Sequence, residues 1–239
     1  MNYKVHDIHA HIVPAIDDGA INFNMSMKML KMAHFQGTRA IVCTSHDGFD
    51  IEDYYQNLNI LRKQTKKSNF DIKLFTGCEV YCSKKYIYQI IAELDNKQFL
   101  TMNETQYVLI EFNPYVDPEE IVYCVMMLQR YGYNTIIAHV ERYHNLFQDN
   151  KWIKILQELD CLFQINAYSL VNETNESIKF RARKLLMERR ISFIGSDAHR
   201  TDRRTYMTND GVEYIYQHCD KEYAKDICYR NAERILNMN

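Results

Sequence analysis

Two histidines near the start of the 239-residue chain are spaced so that they could bind one metal ion. His9 and His11 are separated by one residue and follow an apolar run that begins at Tyr3. Because successive side chains of a β-strand point to opposite faces, residues two positions apart share a face. Taken alone, the pair is a weak indication, since a histidine after a strand more often makes a structural hydrogen bond.

Residues of the same kind recur where further strands are predicted to end. Seven short apolar runs, rich in β-branched and aromatic residues, are typical of buried parallel strands. They span residues 3–8, 39–44, 72–76, 107–112, 135–138, 161–165 and 192–194. In parallel α/β folds the functional groups collect at the C-terminal ends of strands. All but the sixth run, which ends in Gln164 and Asn166, have acids or histidines there: His9 and His11, His46 and Asp47, Glu79, Glu111, His139 and Glu141, and Asp197 and His199.

The agreement between these strand ends predicts a metal site. The first loop is expected to add Asp17 or Asp18 as a further ligand. About eight to nine ligands exceed the needs of one tetrahedral ion, so two or three divalent ions with bridging carboxylates are expected. Imidazole and carboxylate donors without cysteine favour manganese, with iron or zinc as alternatives, over a magnesium-only site.

Amphipathic stretches between the apolar runs predict helices that would hold the strands in place. They cover residues 25–36, 51–66, 119–131, 151–158 and 177–190, and Asn24 is the expected N-cap of the first. Strands that alternate with helices indicate right-handed βαβ units and an α/β fold. About seven such units favour one domain over residues 1–239, built as a closed or nearly closed (β/α) barrel; a doubly wound open sheet is the alternative.

Composition excludes several classes of function. The net charge of −2 argues against a general nucleic-acid-binding protein. No signal peptide is visible and no run of 18 apolar residues could span a membrane, so a soluble cytoplasmic protein is expected. The seven cysteines form no C-x-x-C pair and no C-x5-R phosphatase loop. They are expected to be reduced, buried thiols rather than nucleophiles.

Residues 9–19 resemble a known motif. Their sequence, His-Ala-His-Ile-Val-Pro-Ala-Ile-Asp-Asp-Gly, resembles the opening motif of the PHP (polymerase and histidinol phosphatase) superfamily. More narrowly, it resembles the bacterial tyrosine-protein phosphatases of the CpsB/CapC type, which act in capsule and exopolysaccharide biosynthesis. The later matching segments are residues 44–46, 77–80, 110–112, 138–139, 141–143 and 195–199. Ser45 and Val140 depart from the family pattern, which has proline at both positions.

The resemblance implies a distorted (β/α)7 TIM-like barrel (the PHP fold) and a site for three metals. The first metal would take His9, His11, Glu79 and Asp197; the second, Glu79, Glu111 and His139; and the third, Asp18, His46 and His199. Arg142 and Arg204 match the positions of phosphate-contacting arginines, although the neighbouring Arg203 leaves the second assignment open by one residue.

The implied activity is hydrolysis of phosphotyrosine in a protein, with a metal-bridging hydroxide attacking phosphorus in line. The implied partner is the tyrosine-rich tail of a bacterial tyrosine autokinase. A histidinol-phosphatase-like or other small-molecule phosphomonoesterase of the same superfamily is an alternative. A non-catalytic metal-binding interaction module is an alternative of another class.

Overall fold

Seven parallel strands form the centre of the computed structural model, which describes residues 3–171 and 175–238. The strands are β1 (Val5–Ala10), β2 (Thr38–His46), β3 (Lys73–Tyr81), β4 (Tyr107–Glu111), β5 (Asn134–Ile137), β6 (Leu162–Asn166) and β7 (Phe193–Gly195). They pair in sequence order, each with the next. Beyond β7, Asp197 donates its N–H to the His9 carbonyl at 2.8 Å, and His11 donates to Ala198 at 2.9 Å. These bonds bring the last strand back to the first, so the predicted nearly closed barrel is confirmed and the open sheet is not formed.

Helices connect the strands and cover the outside of the barrel. They are α1 (Phe23–Phe35), α2 (Ile51–Lys67), α3 (Ile87–Asp95), α4 (Pro118–Arg130), α5 (Lys151–Glu158), α6 (Glu176–Met187), α7 (Asn209–His218), α8 (Lys221–Lys225) and α9 (Asn231–Ile235). A π-helical turn, Asp226–Arg230, joins the last two helices. Within the described ranges, no helix has both the length and the apolar character that crossing a bilayer requires.

Side-chain caps set where several helices begin. Asn22, rather than the predicted Asn24, caps α1, because its side chain accepts a hydrogen bond from the Met25 N–H. Asp50 and Asp117 cap α2 and α4 in the same way. At its other end α6 stops at Met187, three residues before the predicted end, and the chain turns into the left-handed region at Arg189, where φ is 55°.

The inward face of the strands changes from apolar to polar along the barrel axis. Val42, Leu109 and Phe193 pack together inside the barrel, in a cluster that Ile235 of α9 joins. Two or four residues further along the same strands, the inward positions carry ligand-type side chains. Leu109 is followed in this way by Glu111, Val42 by His46, and Phe193 by Asp197 beyond the end of β7. The barrel therefore has an apolar interior at one end and a polar mouth at the other.

The buried position of His6 in β1 predicts that the stability of the fold depends on pH. The side chain is buried, and this burial together with nearby Lys4 lowers its pKa to about 4. The unfolded chain takes up a proton near pH 6.5, whereas the folded chain does not until about pH 4. The unfolded state therefore binds more protons between these values, and stability falls as the pH falls through this window.

We expect His6→Gln to remove this contribution to the pH dependence. The free energy of unfolding of the wild type should fall by about 2–3 kcal/mol more than that of the variant between pH 7 and pH 4. Urea unfolding of both chains in a chelator, followed by circular dichroism at several pH values, measures the difference. Parallel profiles would show that His6 is not the responsible group.

Candidate metal centre

The polar mouth of the barrel brings together all nine side chains that were predicted to bind metal. Each lies at the C-terminal end of a strand or in the loop that follows it. Eight of the nine, all except His139, form three groups in which one ligand atom per residue lies within 4.8 Å of the others. The groups are His9, His11, Glu79 and Asp197; His11, Asp18, His46 and His199; and His46, Glu79 and Glu111.

The groups agree with the expected metal sets except in how histidines are shared. The first group is the expected first set. The group around Asp18 also contains His11, and Glu79 with Glu111 is joined by His46 where His139 was expected. His139 is nevertheless close, with Nε2 2.9 Å from Glu79 Oε1 and 3.6 Å from Glu111 Oε2. Metal binding by each of these residues remains a prediction.

Glu79 lies at the centre of the site. Its carboxylate is buried, and its Oε2 atom is 3.1 Å from His9 Nε2, 3.2 Å from His11 Nε2 and 3.3 Å from His46 Nδ1. Burial alone would raise the pKa of the Glu79 carboxyl, but the surrounding imidazoles hold that pKa well below its usual range. A carboxylate that stays charged in this position can be shared between groups of ligands.

Hydrogen bonds from one ring nitrogen orient three of the histidines. His9 Nδ1 lies 3.1 Å from Gln164 Oε1, His11 Nδ1 lies 2.7 Å from Asp17 Oδ2, and His199 Nδ1 lies 3.0 Å from the Asp197 carbonyl oxygen. Since each partner atom is an acceptor, Nδ1 carries a proton, so the lone pair of each ring in its neutral form lies on Nε2. All three Nε2 atoms belong to the centre, where a lone pair can bind a cation.

The structure distinguishes the two aspartates of the first loop. Asp18 Oδ1 lies 3.3 Å from His199 Nε2 and joins a ligand group. Asp17 instead accepts hydrogen bonds from His11 and from the backbone N–H groups of Gly19 and His46. Although burial opposes it, these donors lower the pKa of Asp17 to about 2, so it stays ionised beside His11. Asp17 therefore orients the His11 ring through Nδ1, the nitrogen that faces away from the predicted metal site.

Gln164 and Asn166 of β6 were not predicted to act in the site. Gln164 Oε1 accepts from His9 and from the His139 N–H, and its amide donates to Asn166 Oδ1. Asn166 Nδ2 then donates to Asp197 Oδ2 at 3.0 Å. The sixth strand thus lacks a ligand but links three of them. The sequence signal for their role was that both are polar residues at inward positions of a strand.

Two other acids at strand ends lie outside the ligand groups. Asp47 Oδ2 accepts from the Tyr81 N–H at 2.7 Å, which fixes the loop after β2. Glu141 is buried and accepts from the Ser169 hydroxyl at 2.6 Å and from the Asn166 N–H at 3.1 Å. Both carboxylates therefore hold backbone or loop positions around the centre.

The donor set fits divalent metal ions. Glu79 Oε2 and His199 Nε2 are buried and form no hydrogen bond within the described ranges, although nitrogens or oxygens approach them closely. A buried polar atom without a partner is costly, and a cation bound to it would remove that cost. Imidazole and carboxylate donors of this kind suit manganese, iron or zinc.

Two arginines border the centre on the side of Asp197. Arg142 Nη2 lies 2.7 Å from Asp197 Oδ2, and Arg204 Nη2 lies 2.6 Å from Asp197 Oδ1. Arg203 lines the same cavity without such a contact, so Arg204 is the better candidate of the two neighbours. Although burial opposes it, His9 and Arg142 hold the pKa of Asp197 well below its usual range. Both guanidinium groups remain partly exposed and can meet an anion.

Unusual backbone conformations occur where these side chains enter the site. His139, Asp197 and Arg204 are non-glycine residues with φ of 33°, 53° and 46°. Such conformations are strained and persist where surrounding contacts enforce them. Before Asp197, Gly195 leaves room for the ligands, because a Cβ there would lie 2.7 Å from His9 Cβ. These backbone conformations therefore place the side chains of the three residues in the site.

We expect Gln164→Leu to weaken metal binding by about 10- to 100-fold, because His9 would lose the acceptor that fixes its tautomer. Competition between the protein and a fluorescent chelator for Mn²⁺ measures the affinity. Gln217→Leu, at an exposed position of α7, is the matched control. Equal affinity in both variants would show that Gln164 does not orient the ligands.

Several known proteins resemble the chain in sequence and in fold. The chain is 30% identical to the tyrosine-protein phosphatase CpsB of Streptococcus agalactiae serotype III, over 96% of this chain and 97% of that protein. It is 29% identical to the tyrosine-protein phosphatase YwqE of Bacillus subtilis, over 96% and 91%. A crystal structure from work on YwqE of B. subtilis and CpsB of Streptococcus pneumoniae, described as unique metal-dependent tyrosine phosphatases, superposes with a TM-score of 0.86. It is 28% identical and covers 97% of this chain and 94% of that one.

A more distant structure has the same fold. The histidinol phosphate phosphatase of Lactococcus lactis superposes with a TM-score of 0.61 at 16% identity, over 90% of this chain and 93% of that one.

The model of the capsular polysaccharide synthesis family CpsB/CapC matches residues 5–237. The chain therefore belongs to the CpsB/CapC family, as its motifs had predicted.

Proposed function

We propose that the chain is a metal-dependent protein-tyrosine phosphatase that regulates the synthesis of capsular or extracellular polysaccharide. The observation that carries the proposal is a cluster of three ligand groups, linked through shared residues such as Glu79, beside Arg142 and Arg204. The CpsB and YwqE relatives, which the chain matches over nearly its whole length, are named tyrosine-protein phosphatases.

The cluster would hold two or three divalent ions, manganese first, with iron or zinc as alternatives. When bound, such ions lower the pKa of a water molecule and neutralise charge on a phosphoryl group. His9, His11, Glu79 and Asp197 would hold one ion. Glu111 and His139 would share Glu79 for a second, with His46 in reach. Asp18, His46 and His199 would hold the third, with His11 in reach.

The chain's own arginines would bind and orient the phosphate. In the described part of the chain, Arg142 and Arg204 each place one Nη atom on Asp197, and the other donors of each planar fork could bind phosphoryl oxygens. Held by Asp197, these donors would be in place before the substrate arrives. Preorganised donors of this kind stabilise the charge that develops in phosphoryl transfer.

Tyrosine suits a site that is built in this way. Its phenolate leaving group has a pKa of about 10, well below that of an aliphatic alkoxide, so it needs less help from a protonated acid. We therefore favour aryl phosphates over aliphatic phosphates as substrates. Comparing turnover of a phosphotyrosine peptide with turnover of histidinol phosphate, both in Mn²⁺, distinguishes the proposal from the histidinol-phosphatase-like alternative.

The natural substrate that we propose is the tyrosine-rich tail of a bacterial autokinase, and the place of action is the cytoplasm. Each of the seven cysteines is a free thiol and six are buried, which suits a reducing compartment. Residues 1–239 would act as one metallophosphatase domain. A non-catalytic metal-binding module is the remaining alternative, and it would show bound metal without phosphatase activity.

We expect Arg142→Ala to lower kcat/KM for p-nitrophenyl phosphate and for a phosphotyrosine peptide by about 100- to 1,000-fold, because a preorganised donor to the phosphoryl group is lost. Arg142→Lys should recover only part of the activity, since an ammonium group lacks the planar fork. Steady-state kinetics in Mn²⁺ test both variants.

Arg130→Ala, at the end of α4, serves as the control and should keep wild-type kinetics. If Arg142→Ala retained full activity on both substrates, the assignment of Arg142 to phosphate binding would be wrong.

A further inference from the structure

The cavity beside the two arginines continues towards α6. This arginine cavity has a volume of about 380 Å³, and its lining includes Arg142, Arg204, Tyr168, Ile178 and Met207. Ile178 belongs to the first turn of α6. A direct contact reinforces the connection, because Arg181 of α6 donates from Nε to the carbonyl oxygen of Glu141, next to Arg142. A chain whose phosphate lay at the arginines could therefore extend over the start of α6.

An exposed aromatic side chain lies on α6 next to this route. Phe180 is 69% exposed, which is unusual for a large apolar residue on a helix that packs against a barrel. It lies between two surface cavities of about 410 and 360 Å³ and lines both. Arg183 and Lys184 line the first cavity, and Arg181 with Phe147 lines the second. The aromatic ring is thus surrounded by hollows that a second chain could fill.

The helix also carries a local positive charge in a chain whose net charge is −2. Lys179, Arg181, Arg183 and Lys184 all lie on α6, whose only acidic residue is Glu176, paired with Lys179. In the described part of the chain, the other three cations have no carboxylate within ion-pair distance. Their partners are neutral oxygens, including the Leu170 carbonyl for Arg183 and Asn150 Oδ1 for Lys184. Their charge is therefore available to an anionic partner.

We propose that Ile178, Phe180, Arg183 and Lys184 form a docking surface for a negatively charged segment of the substrate next to its phosphotyrosine. The inference rests on the proposed function and extends it, because it assigns a sequence preference to the substrate. An acidic residue near the phosphotyrosine would meet Lys184 or Arg183. An apolar residue would pack against Phe180, and the part of the segment nearer the phosphotyrosine would pass Ile178 at the arginine cavity. The phosphotyrosine itself would lie at the arginine cavity.

The probe is a fluorescent peptide that carries a non-hydrolysable phosphonate analogue of phosphotyrosine flanked by glutamates. A second peptide has glutamines in place of the glutamates. Fluorescence anisotropy on the manganese-loaded full chain gives Kd for each. We expect Phe180→Ser to raise Kd for the acidic peptide about five- to tenfold. Lys184→Glu should raise it by a similar factor while changing Kd for the glutamine peptide less than twofold.

Two variants on other helices carry the same kinds of substitution and serve as matched controls. Met126→Ser removes a 54% exposed apolar side chain from α4, and Lys66→Glu reverses an exposed charge at the end of α2. Both should bind the acidic peptide as the wild type does. Turnover of p-nitrophenyl phosphate, which would bind in the arginine cavity that neither Phe180 nor Lys184 lines, should be the same in all four variants and shows that each has folded.

Unchanged Kd in Phe180→Ser and Lys184→Glu would overturn the docking surface, as would equal weakening in the control variants. Sedimentation with vesicles of anionic lipid provides another outcome that overturns it. Vesicle binding that is lost in Lys184→Glu, with unchanged peptide Kd, would assign the surface to a membrane. The proposed function fails separately: binding that depends on Phe180 in a chain without phosphatase activity would support the docking surface and refute the phosphatase.

Discussion

A buried carboxylate that must remain charged is the constraint on which the rest of the structure depends. Glu79 is 1% exposed and lies among four imidazoles at the barrel mouth. An unpaired charge in such a place would be very costly, so positive charge must be supplied nearby. Without bound ions, the carboxylates of Glu79 and its neighbours oppose the effect of burial and raise the pKa values of His9 and His11 to about 9. Divalent ions would meet the same need and leave both imidazoles neutral.

The remainder of the barrel can be understood as the support for this charge. Apolar inward residues such as Leu109 fill one end of the barrel, and the next inward positions along the same strands carry the predicted ligands. Gln164 and Asp17 orient imidazoles from behind, and such partners affect metal sites nearly as strongly as the ligands do. Arg142 and Arg204 bind Asp197 and bring two more positive charges to the mouth. Asp197 would thereby connect the proposed phosphate-binding arginines with the predicted metal centre.

Much of this arrangement could be predicted from the sequence, because the relevant signals are local. All seven strands were recognisable as apolar runs, and a parallel barrel places their C-terminal ends at one mouth. The lengths of the strands were harder to predict from the sequence. β3 continues to Tyr81, five residues beyond its predicted end, because polar residues such as Glu79 face the barrel mouth and still pair with β4. The helix α3 was missed, although it buries Ile87, Ile90, Ile91 and Leu94.

Features that depend on side-chain placement in three dimensions could not be derived from spacing. Both Asp17 and Asp18 were candidates, and only the fold shows that one contacts His11 Nδ1 and the other approaches His199. The sharing of His46 between two groups has the same origin, since it depends on the pairing of His46 with Glu79 across β2 and β3.

The most direct test of the central claim is a Mn²⁺ titration of the metal-free chain that follows bound ions and phosphotyrosine-peptide turnover together. If Glu79 is shared between metal ions, at least two ions per chain should bind, and turnover should appear only as the second ion binds. Glu79→Gln should abolish turnover and reduce the number of bound ions. Full turnover with one ion per chain, or in excess chelator, would contradict the account.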